Sequence, residues 1–343
     1  MGPTTTDAAY ARSLGDAVHQ AIASVMQGRG AYALLDFPFH PNIGDSAIWM
    51  GEASLLRRIY GRGPCYVSTA QSDPDEAGRF VGDALVFLHG GGNFGDLWPG
   101  HQRYREAILA RHRHNRIVCL PQSVHFQSPE GIESSRRAFA AHPDVHMMAR
   151  DHESFDFMRR HYDCNVMLVP DSAFAIDMAR VPRNPAPAGL GCLFREDHEQ
   201  RADAAGAAAL FPEARIEDWE RPGQTYWRAA RLALRGMRRA PNLPGLAGLM
   251  GLRGRYFDRV ARDNVMRGFR QLDRHQVVVT DRLHGHIMAV LLGKPHVVID
   301  NLYGKIARFI DAWPGDTTTG RAADYAEARR LATTLMAEVG GRR

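Results

Sequence analysis

The stretch Val86–Asp96, VFLHGGGNFGD, decides the fold class expected for this chain of 343 residues. Its first residues form an apolar run typical of a buried strand, and four glycines follow within six residues. Glycines after a parallel strand let backbone amides approach an anion or a sugar at the carboxyl edge of a sheet. We therefore expect a strand followed by a ligand-binding turn, with a tight turn that binds nothing as the alternative.

Two known motifs share this pattern, and the rest of the sequence argues against both. The glycines at 90, 92 and 95 match the dinucleotide fingerprint, but the next predicted strand ends in PQS at 121–123 and lacks the acidic residue that holds a ribose. HGGG at 89–92 matches the oxyanion loop of esterases, but the chain has no G-x-S-x-G nucleophile motif. Neither a nicotinamide cofactor nor serine-based acyl transfer is expected.

Strand-like and helix-like segments alternate outward from this stretch. In the first half, strands are predicted at 31–37, 84–89, 116–120, 145–149 and 165–169, and helices at 46–60, 102–113, 134–142 and 152–162. In the second half, strands are predicted at 191–194, 276–280 and 296–299, and a helix at 285–292. This alternation favours an α/β fold with parallel sheets. The proline-rich segment 181–187 predicts a linker between domains at 1–180 and 188–343.

Composition narrows the class of protein. With 45% hydrophobic and 24% charged residues, the chain is typical of globular proteins. No apolar segment approaches the roughly 18 residues that span a bilayer and no secretory leader is recognisable, so we expect a cytoplasmic protein. The four cysteines are widely spaced and are expected to be reduced. The net charge of +5 favours an anionic partner.

Polar groups follow several predicted strands, at the edge where α/β sheets bind ligands. In the first half they are Asn42, Gly44, Asp45, Gln122, Ser123 and Arg150. Asp45 precedes a predicted helix, so capping that helix is the alternative role for its carboxylate.

The second half contains a similar arrangement, in which Arg282 and His284 begin the helix that follows the strand 276–280. A helix N-terminus favours anions, and a guanidinium fork suits phosphate or carboxylate. His284 and His286 are spaced like a zinc pair, but the sequence offers no third ligand, and we predict no metal. Lys305 follows the next strand and is expected on the same face.

The segment 228–274 contains twelve arginines and three acidic residues, and the glycine-rich patch GLAGLMGLRG interrupts it. One interpretation is a solvated helical surface with a mobile loop. The other is a basic amphipathic surface for an anionic lipid or a lipid diphosphate. A nucleic-acid-binding role is not favoured, because the segment lacks regular aromatic interleaving and any known binding motif.

An ordered set of motifs resembles the polysaccharide pyruvyl transferase family, especially its bacterial exopolysaccharide branch. The motifs are NIGDSAIW, LHGGGNFGD, LPQS, ARD, VPDSAF, TDRLHGHIMAVLLGKPHVVID and NLYGK, and they extend from about residue 36 to about residue 305. The resemblance implies two Rossmann-like domains facing across a cleft, as in the glycosyltransferase-B fold. It also implies transfer of the enolpyruvyl unit of phosphoenolpyruvate onto two hydroxyls of one sugar in a surface polysaccharide or its lipid-linked precursor, forming a pyruvate ketal and releasing phosphate.

Site roles follow from this resemblance together with the charge of the donor. Catalytic roles are expected for Asp45, Arg282 and His284, with Asp45 as a base and His284 as an acid, or the reverse. The expected donor-binding residues are Arg150, Arg195, Arg282, His284, Gly285 and Lys305. The expected acceptor-binding residues are Asn42, Gly44, His89, Gly91, Gly92, Asn93, Asp96, Gln122 and Ser123. Domain 1–180 would hold the acceptor and domain 188–343 the donor, without a metal or an organic cofactor.

A nucleotide-sugar-dependent glycosyltransferase of the same two-domain architecture is the competing hypothesis, since it also needs cations beside a diphosphate. The expected partners are phosphoenolpyruvate and a sugar acceptor, the latter either free or lipid-diphosphate-linked, with peripheral contact at the inner face of the membrane and no nucleic acid.

Overall fold

Two parallel sheets organise the computed structural model, which describes residues 5–26, 30–197, 206–239, 247–300, 304–316 and 318–341. The strands of the first sheet are β1 Tyr32–Leu35, β2 Tyr66–Val67, β3 Leu85–Leu88, β4 Gly91–Gly95, β5 Ile117–His125, β6 Val145–Ala149 and β7 Asn165–Leu168. Their order is β2-β1-β3-β5-β6-β7, and β4 pairs with β5. The helices of this half are α1 Thr5–Met26, α2 Ile43–Tyr60, α3 Pro74–Ala77, α4 Pro99–Arg111, α5 Pro129–Ala140 and α6 His152–His161.

The second sheet follows two short 3-10 turns, Ser172–Ala175 and Met178–Arg180. Its strands are β8 Leu190–Leu193, β9 Arg215–Glu217, β10 Val277–Thr280, β11 His296–Ile299 and β12 Thr319–Ala322, in the order β12-β11-β10-β8-β9. Its helices are α7 Ala207–Leu210, α8 Gln224–Arg239, α9 Ala247–Asp273, α10 Leu283–Leu292, α11 Lys305–Ala312 and α12 Tyr325–Gly341. Neighbouring strands run parallel in both sheets, which confirms the predicted α/β class.

The glycine-rich stretch is not the predicted turn after a strand. It continues as β4 along the second half of β5, where Gly91 pairs with Gln122 and Gly95 with His125. Gly91 and Gly95 have φ angles of 105° and 122°, which favour glycine. A Cβ atom on Gly95 would overlap the carbonyl oxygen of His125. Close approach between two backbones therefore explains part of this glycine content, and β5 correspondingly extends through 121–123, beyond its predicted end at residue 120.

The arginine-rich segment 228–274 is mainly two helices, and α9 has one solvent-exposed face, as a solvated helical surface predicts, and one buried face, which was not predicted. This helix packs along α2 of the first half, and Phe257, Val260 and Ala261 join the core beneath the first sheet. Arg253 is buried and forms an ion pair with Glu76. Gly251 and Gly254 lie inside the helix. Residues 240–246, which include the start of the glycine-rich patch, lie outside the described residues.

The hydrophobic cores cross the predicted linker at 181–187. One core combines Ile43 and Ala47 of α2 with Ile287 and Met288 of α10. At the other end of the chain, the Tyr10 hydroxyl donates to the carbonyl oxygen of Trp313 at 2.5 Å. The two sheets are thus joined by buried contacts on several elements, which fixes their carboxyl edges relative to each other. Among the described residues, no helix is both long enough and apolar enough to cross a membrane.

Candidate active site

A cavity of about 430 Å³ lies where the carboxyl ends of strands from both sheets meet. Its lining comes from the segments that follow β1, β3 and β6 of the first sheet and β8, β9, β10 and β11 of the second. Parallel sheets bind ligands at this edge, because the loops there are free to carry function while the strands hold their positions. The glycine-rich stretch of the first half and the segment of the second half that contains Arg282 and His284 therefore line one cavity.

Ten of the predicted site residues line this cavity: Asn42, Asp45, His89, Gly92, Asn93, Arg150, Arg195, Arg282, His284 and Lys305. The other predicted site residues, Gly44, Gly91, Asp96, Gln122, Ser123 and Gly285, are not among its lining residues. The remaining lining residues were not predicted: Pro38, His40, Trp98, His101, Trp219 and Leu283.

Arg282 directly precedes α10 and is held by carboxylates of its own half. Its Nε and Nη2 donate to Asp218 at 2.5 and 2.6 Å, and Nη2 also lies 3.3 Å from Asp197. Arg195 donates two further hydrogen bonds to Asp197, both at 2.9 Å. Within the described part of the chain, Nη1 of Arg282 makes no hydrogen bond. Asp218 therefore orients the guanidinium and leaves one of its edges available to a ligand.

The side of the cavity built by loops of the first sheet is the first wall, and the side built by loops of the second sheet is the second wall. Arg150 is the cation of the first wall, and it is almost fully buried. Its Nη1 donates to Asp171 at 2.7 Å, and its Nε donates to the Ser123 hydroxyl at 2.8 Å. Ser123 was predicted to bind the acceptor, but its hydroxyl lies between Arg150 and Asp151, to which it donates at 2.6 Å. The structure therefore gives Ser123 a positioning contact with Arg150.

Asp171 links the two walls, although the sequence analysis gave it no role. Its Oδ2 lies 2.7 Å from Arg150 and 3.5 Å from Nε2 of His284. Burial alone would raise the pKa of Asp171, but His284 and Arg150 outweigh burial and hold it well below its usual range. The residue lies in the motif VPDSAF, so position in that motif was the available signal.

The His284 ring packs closely against Gly44 of α2, in the first half of the chain. A Cβ atom on Gly44 would lie only 2.5 Å from Nδ1 of His284, so Gly44 is needed for close packing of the two walls. Gly285 has a comparable packing reason, since its Cβ would collide with Thr280 on β10. Nε2 of His284 is buried and lies 3.5 Å from Oδ2 of Asp171, so a proton on this nitrogen would face that carboxylate.

Asp45 lies in the first turn of α2, and it is not the cap of that helix. The cap is Asn42, whose side chain accepts a hydrogen bond from the amide of Gly44 at 2.8 Å. Burial would raise the pKa of Asp45, but nearby His40, His284, His89 and Arg150 together lower it. The carboxylate is therefore ionised at neutral pH and can accept a proton.

Two buried carboxylate–histidine pairs, which the sequence did not predict, support the first wall. Glu52 Oε2 lies 2.7 Å from Nδ1 of His89, and both side chains are almost fully buried. Oε1 of Glu52 accepts the amide of Gly90 at 2.9 Å. Burial would lower the pKa of His89, but Glu52 reverses this and raises it. Glu52 thus fixes the orientation of the His89 ring at the cavity edge.

The second pair joins Asp36 to His101. Both carboxylate oxygens of Asp36 lie 2.9 Å from Nδ1 of His101. Asp36 has a φ of 70°, a conformation that is unusual for a residue with a side chain and that is often found at functional sites. The sequence analysis placed Asp36 inside an apolar strand, so its backbone conformation was not predictable from that pattern.

Two of the predicted acceptor-binding residues, Asp96 and Gln122, hold the loops that surround the cavity. Asp96 accepts the amides of Gln127 and Ser128 at 2.7 and 2.9 Å, just before α5. Gln122 donates to the carbonyl oxygen of His89 at 2.6 Å. Both contacts are structural, because they satisfy backbone groups that would otherwise lack partners.

His286 does not form a pair with His284. Its Nδ1 lies 2.8 Å from Nε2 of His296, and Asp316 brings a third candidate metal ligand into the same cluster. The Nδ1 of His296 donates to the carbonyl oxygen of Lys294 at 2.8 Å, which leaves Nε2 for the cluster. These three side chains could hold a metal ion, and none of them lines the cavity.

Comparison with known proteins matches residues 42–303 to the family model described as polysaccharide pyruvyl transferase. The match covers most of the chain, including both walls of the cavity. The chain belongs to this family. Polysaccharide pyruvyl transferases move a pyruvyl group in polysaccharide biosynthesis, so the protein is a transferase of that class. Family membership does not favour the nucleotide-sugar glycosyltransferase alternative.

Two curated relatives agree with this assignment, and one solved structure has a similar fold. "Putative pyruvyl transferase EpsO" of Bacillus subtilis is 29% identical over 297 residues, which cover 86% of this chain and 88% of the relative. Pyruvyl transferase 1 of Schizosaccharomyces pombe is also 29% identical, over 332 residues covering 89% of this chain and 75% of the relative. An uncharacterised Klebsiella pneumoniae protein has a TM-score of 0.57 at 18% identity and covers 91% of this chain and 99% of its own. This last similarity concerns the fold alone.

Proposed function

We propose that this polysaccharide pyruvyl transferase uses phosphoenolpyruvate as its donor and forms a pyruvate ketal across two hydroxyls of one sugar. The observation that carries the proposal is a single cavity lined by Arg150, Arg195, Arg282 and Lys305 together with the ionised carboxylate of Asp45. Four cations suit a three-carbon acid that carries both a carboxylate and a phosphate. The parallel two-sheet arrangement supports, in addition, a glycosyltransferase-B-like architecture with the donor on the second sheet.

The donor is assigned to the second wall. Arg282 is oriented by Asp218 and directly precedes α10, so a guanidinium edge and the helix N-terminus lie side by side. These two groups attract phosphate by different means, since one is a full charge and the other a set of free backbone amides. Arg150 would contact the donor from the first wall, because Asp171 and Ser123 already fix its position.

The chemistry requires a proton on the enol carbon and removal of protons from two sugar hydroxyls. Asp45 has a lowered pKa, so it is assigned as the base toward the acceptor. His284 is assigned as the acid, since it lines the cavity beside Arg282 and its Nε2 lies 3.5 Å from the carboxylate of Asp171. The first hydroxyl adds to the carbon that bears the phosphate, and the second replaces the phosphate to close the ketal.

The decisive experiment measures phosphate release from phosphoenolpyruvate against a panel of sugar acceptors, with Arg282→Ala as the inactive control. The expected result is acceptor-dependent phosphate release and a product sugar heavier by one pyruvyl ketal. Thermal-shift measurements separate the alternative: the proposal requires stabilisation by phosphoenolpyruvate, whereas stabilisation by a nucleoside diphosphate alone would favour a nucleotide-sugar glycosyltransferase.

A further inference from the structure

The solvent-exposed face of α9 consists of arginines beyond its first turns. Between Arg253 and the end of the helix, the exposed residues are Arg255, Arg259, Arg262 and Arg270. Their spacing of three, four and eight residues places them on one stripe of the helix. The opposite face is buried against α2, so the stripe points away from the core.

A groove of about 940 Å³ runs beside this stripe, and we name it the basic groove. It is lined by Arg180, Pro182, Arg221, Pro222, Gly223, Tyr226, Arg255, Asp258, Arg259, Arg262, Asp263, Met266, Arg267 and Arg270. Its two carboxylates are already engaged, since Asp258 pairs with Arg57 and Asp263 accepts from the Tyr226 hydroxyl at 3.0 Å.

Five arginines of the basic groove are left without an anionic partner. Arg221, Arg255, Arg259, Arg262 and Arg270 make no ion pair with any other described residue. Like charges gathered on one surface repel one another unless an anion lies among them. Guanidinium groups bind both carboxylate and phosphate through two parallel hydrogen bonds, and a cluster of five suits an anion with several charges, such as a diphosphate.

The groove is also partly apolar. Met266, Pro182 and Pro222 lie between the arginines, and a neighbouring depression that shares Arg180, Asp258 and Arg262 is lined by Met50 and Ala53. On α8, the side chain of Leu232 is 70% exposed. A ligand that combines phosphate with a hydrocarbon chain would contact both kinds of surface, whereas a purely hydrophilic polyanion would leave the apolar part uncovered.

The basic groove is connected to the central cavity by two short segments. Trp219 lines the cavity, and Arg221 and Pro222, two and three residues later, line the groove. Pro41 lines a depression that also contains Arg221 and Trp227, and the next residue, Asn42, lines the cavity. The depression that contains Pro41 and Arg221 therefore adjoins both the cavity and the groove along the chain.

We propose that the basic groove binds the diphosphate of a lipid-linked acceptor whose sugar occupies the central cavity. The location of the sugar rests on the proposed function, whereas the diphosphate site rests only on the groove itself. Binding there would hold the sugar hydroxyls near Asp45 and would bring the apolar surface of α8 toward the lipid chain.

The test measures binding of farnesyl diphosphate by isothermal titration calorimetry in 150 mM salt, which suppresses weak surface attraction by screening. The variant is Arg255→Gln/Arg259→Gln/Arg262→Gln in the full-length chain. The matched control, Arg113→Gln/Arg137→Gln/Arg330→Gln, removes the same charge from exposed arginines outside the groove. The proposal predicts binding to the wild type and the control, and affinity at least tenfold weaker in the groove variant.

Two further measurements distinguish a lipid diphosphate from a nucleoside diphosphate and test whether the variant is folded. Uridine diphosphate is expected to bind the wild type more weakly than farnesyl diphosphate, because it lacks the hydrocarbon chain. Thermal stabilisation by phosphoenolpyruvate is expected to be equal in the groove variant and the control, which shows that the variant is folded. Unchanged farnesyl diphosphate affinity in the groove variant, or tighter binding of uridine diphosphate, would overturn the proposal. Failure of phosphoenolpyruvate to bind the wild type would instead count against the proposed function.

Discussion

The two walls of the central cavity use carboxylates in different ways. On the first wall, Glu52 and Asp36 are paired with the imidazoles of His89 and His101. On the second wall, Asp218 and Asp197 are paired with the guanidinium groups of Arg282 and Arg195. Imidazole changes its charge near neutral pH, whereas guanidinium keeps its charge throughout. The first wall is therefore suited to proton transfer and the second to gripping an anion.

The division between the walls is not complete, because Arg150 lies on the first wall and His284 on the second. Both contact Asp171, at 2.7 and 3.5 Å. This buried carboxylate therefore contacts one cavity-lining residue from each wall. The comparison leads to the following predictions, in order of decreasing effect.

The largest loss of activity is expected when Arg282, the anion-binding residue of the second wall, is replaced. Arg282→Ala removes the guanidinium that Asp218 orients, and kcat/KM for phosphoenolpyruvate should fall about 10²–10³-fold, as when an enzyme loses one preorganised donor. Arg282→Lys keeps the charge but loses the planar fork, so it should recover only part of the activity. Arg103→Ala, at an exposed position on α4, is the control. Full activity of Arg282→Ala would contradict the assignment of the second wall.

Removing Glu52 should destabilise the first wall. Glu52→Ala leaves His89 and the amide of Gly90 without their buried partner, and breaking a buried pair in this way costs about 3 kcal/mol of unfolding free energy. Urea denaturation measures this change. Glu133→Ala removes an exposed carboxylate from α5, and its stability should match the wild type. Equal stability of both variants would show that the pair does not support the wall.

Asp45 and Asp96 were both predicted site residues, but only Asp45 lines the cavity. Asp45→Asn should lower kcat about 10²-fold, the lower range for loss of a general base, with little change in KM for the donor. Asp96→Asn should leave kcat unchanged and lower the melting temperature, since its carboxylate holds the amides before α5. Steady-state phosphate release and thermal unfolding measure the two effects. An equal loss of kcat in both variants would contradict the assignment of a catalytic role to Asp45 and a structural role to Asp96.

The carboxyl group of Asp281, which directly follows β10, should contribute a pH dependence to the unfolding free energy. Burial raises the pKa of this carboxyl to about 6, so between pH 4 and 6 the folded protein holds a proton that the unfolded chain has released. The contribution of Asp281 to the unfolding free energy therefore falls as pH rises through this window, by up to about 1.4 kcal/mol per pH unit. Asp281→Asn should remove this slope, and urea denaturation at pH 4, 5, 6 and 7 measures it. Identical slopes would contradict the raised pKa.

The central elements of the fold followed from the sequence because their signals are local. Strands β6 and β11 have the predicted bounds, and the ends of α6 and α10 differ from their predicted bounds by at most two residues. The glycines of 90–95 were harder, because an extended segment with positive φ angles has the same composition as a turn. The buried face of α9 was not predicted for a related reason: its exposed arginines occupy one stripe, and only packing shows that the opposite face is buried.

The sequence by itself determined the α/β class, the family, and most of the charged groups that line the cavity, since strand ends and ordered motifs are recorded in the order of residues. Only the tertiary structure decided which carboxylate faces which cation. Glu52 and His89 are 37 positions apart, and Arg282 and Asp218 are 64 positions apart. No local periodicity records such pairs, because the packing of separate strands and helices sets their distances.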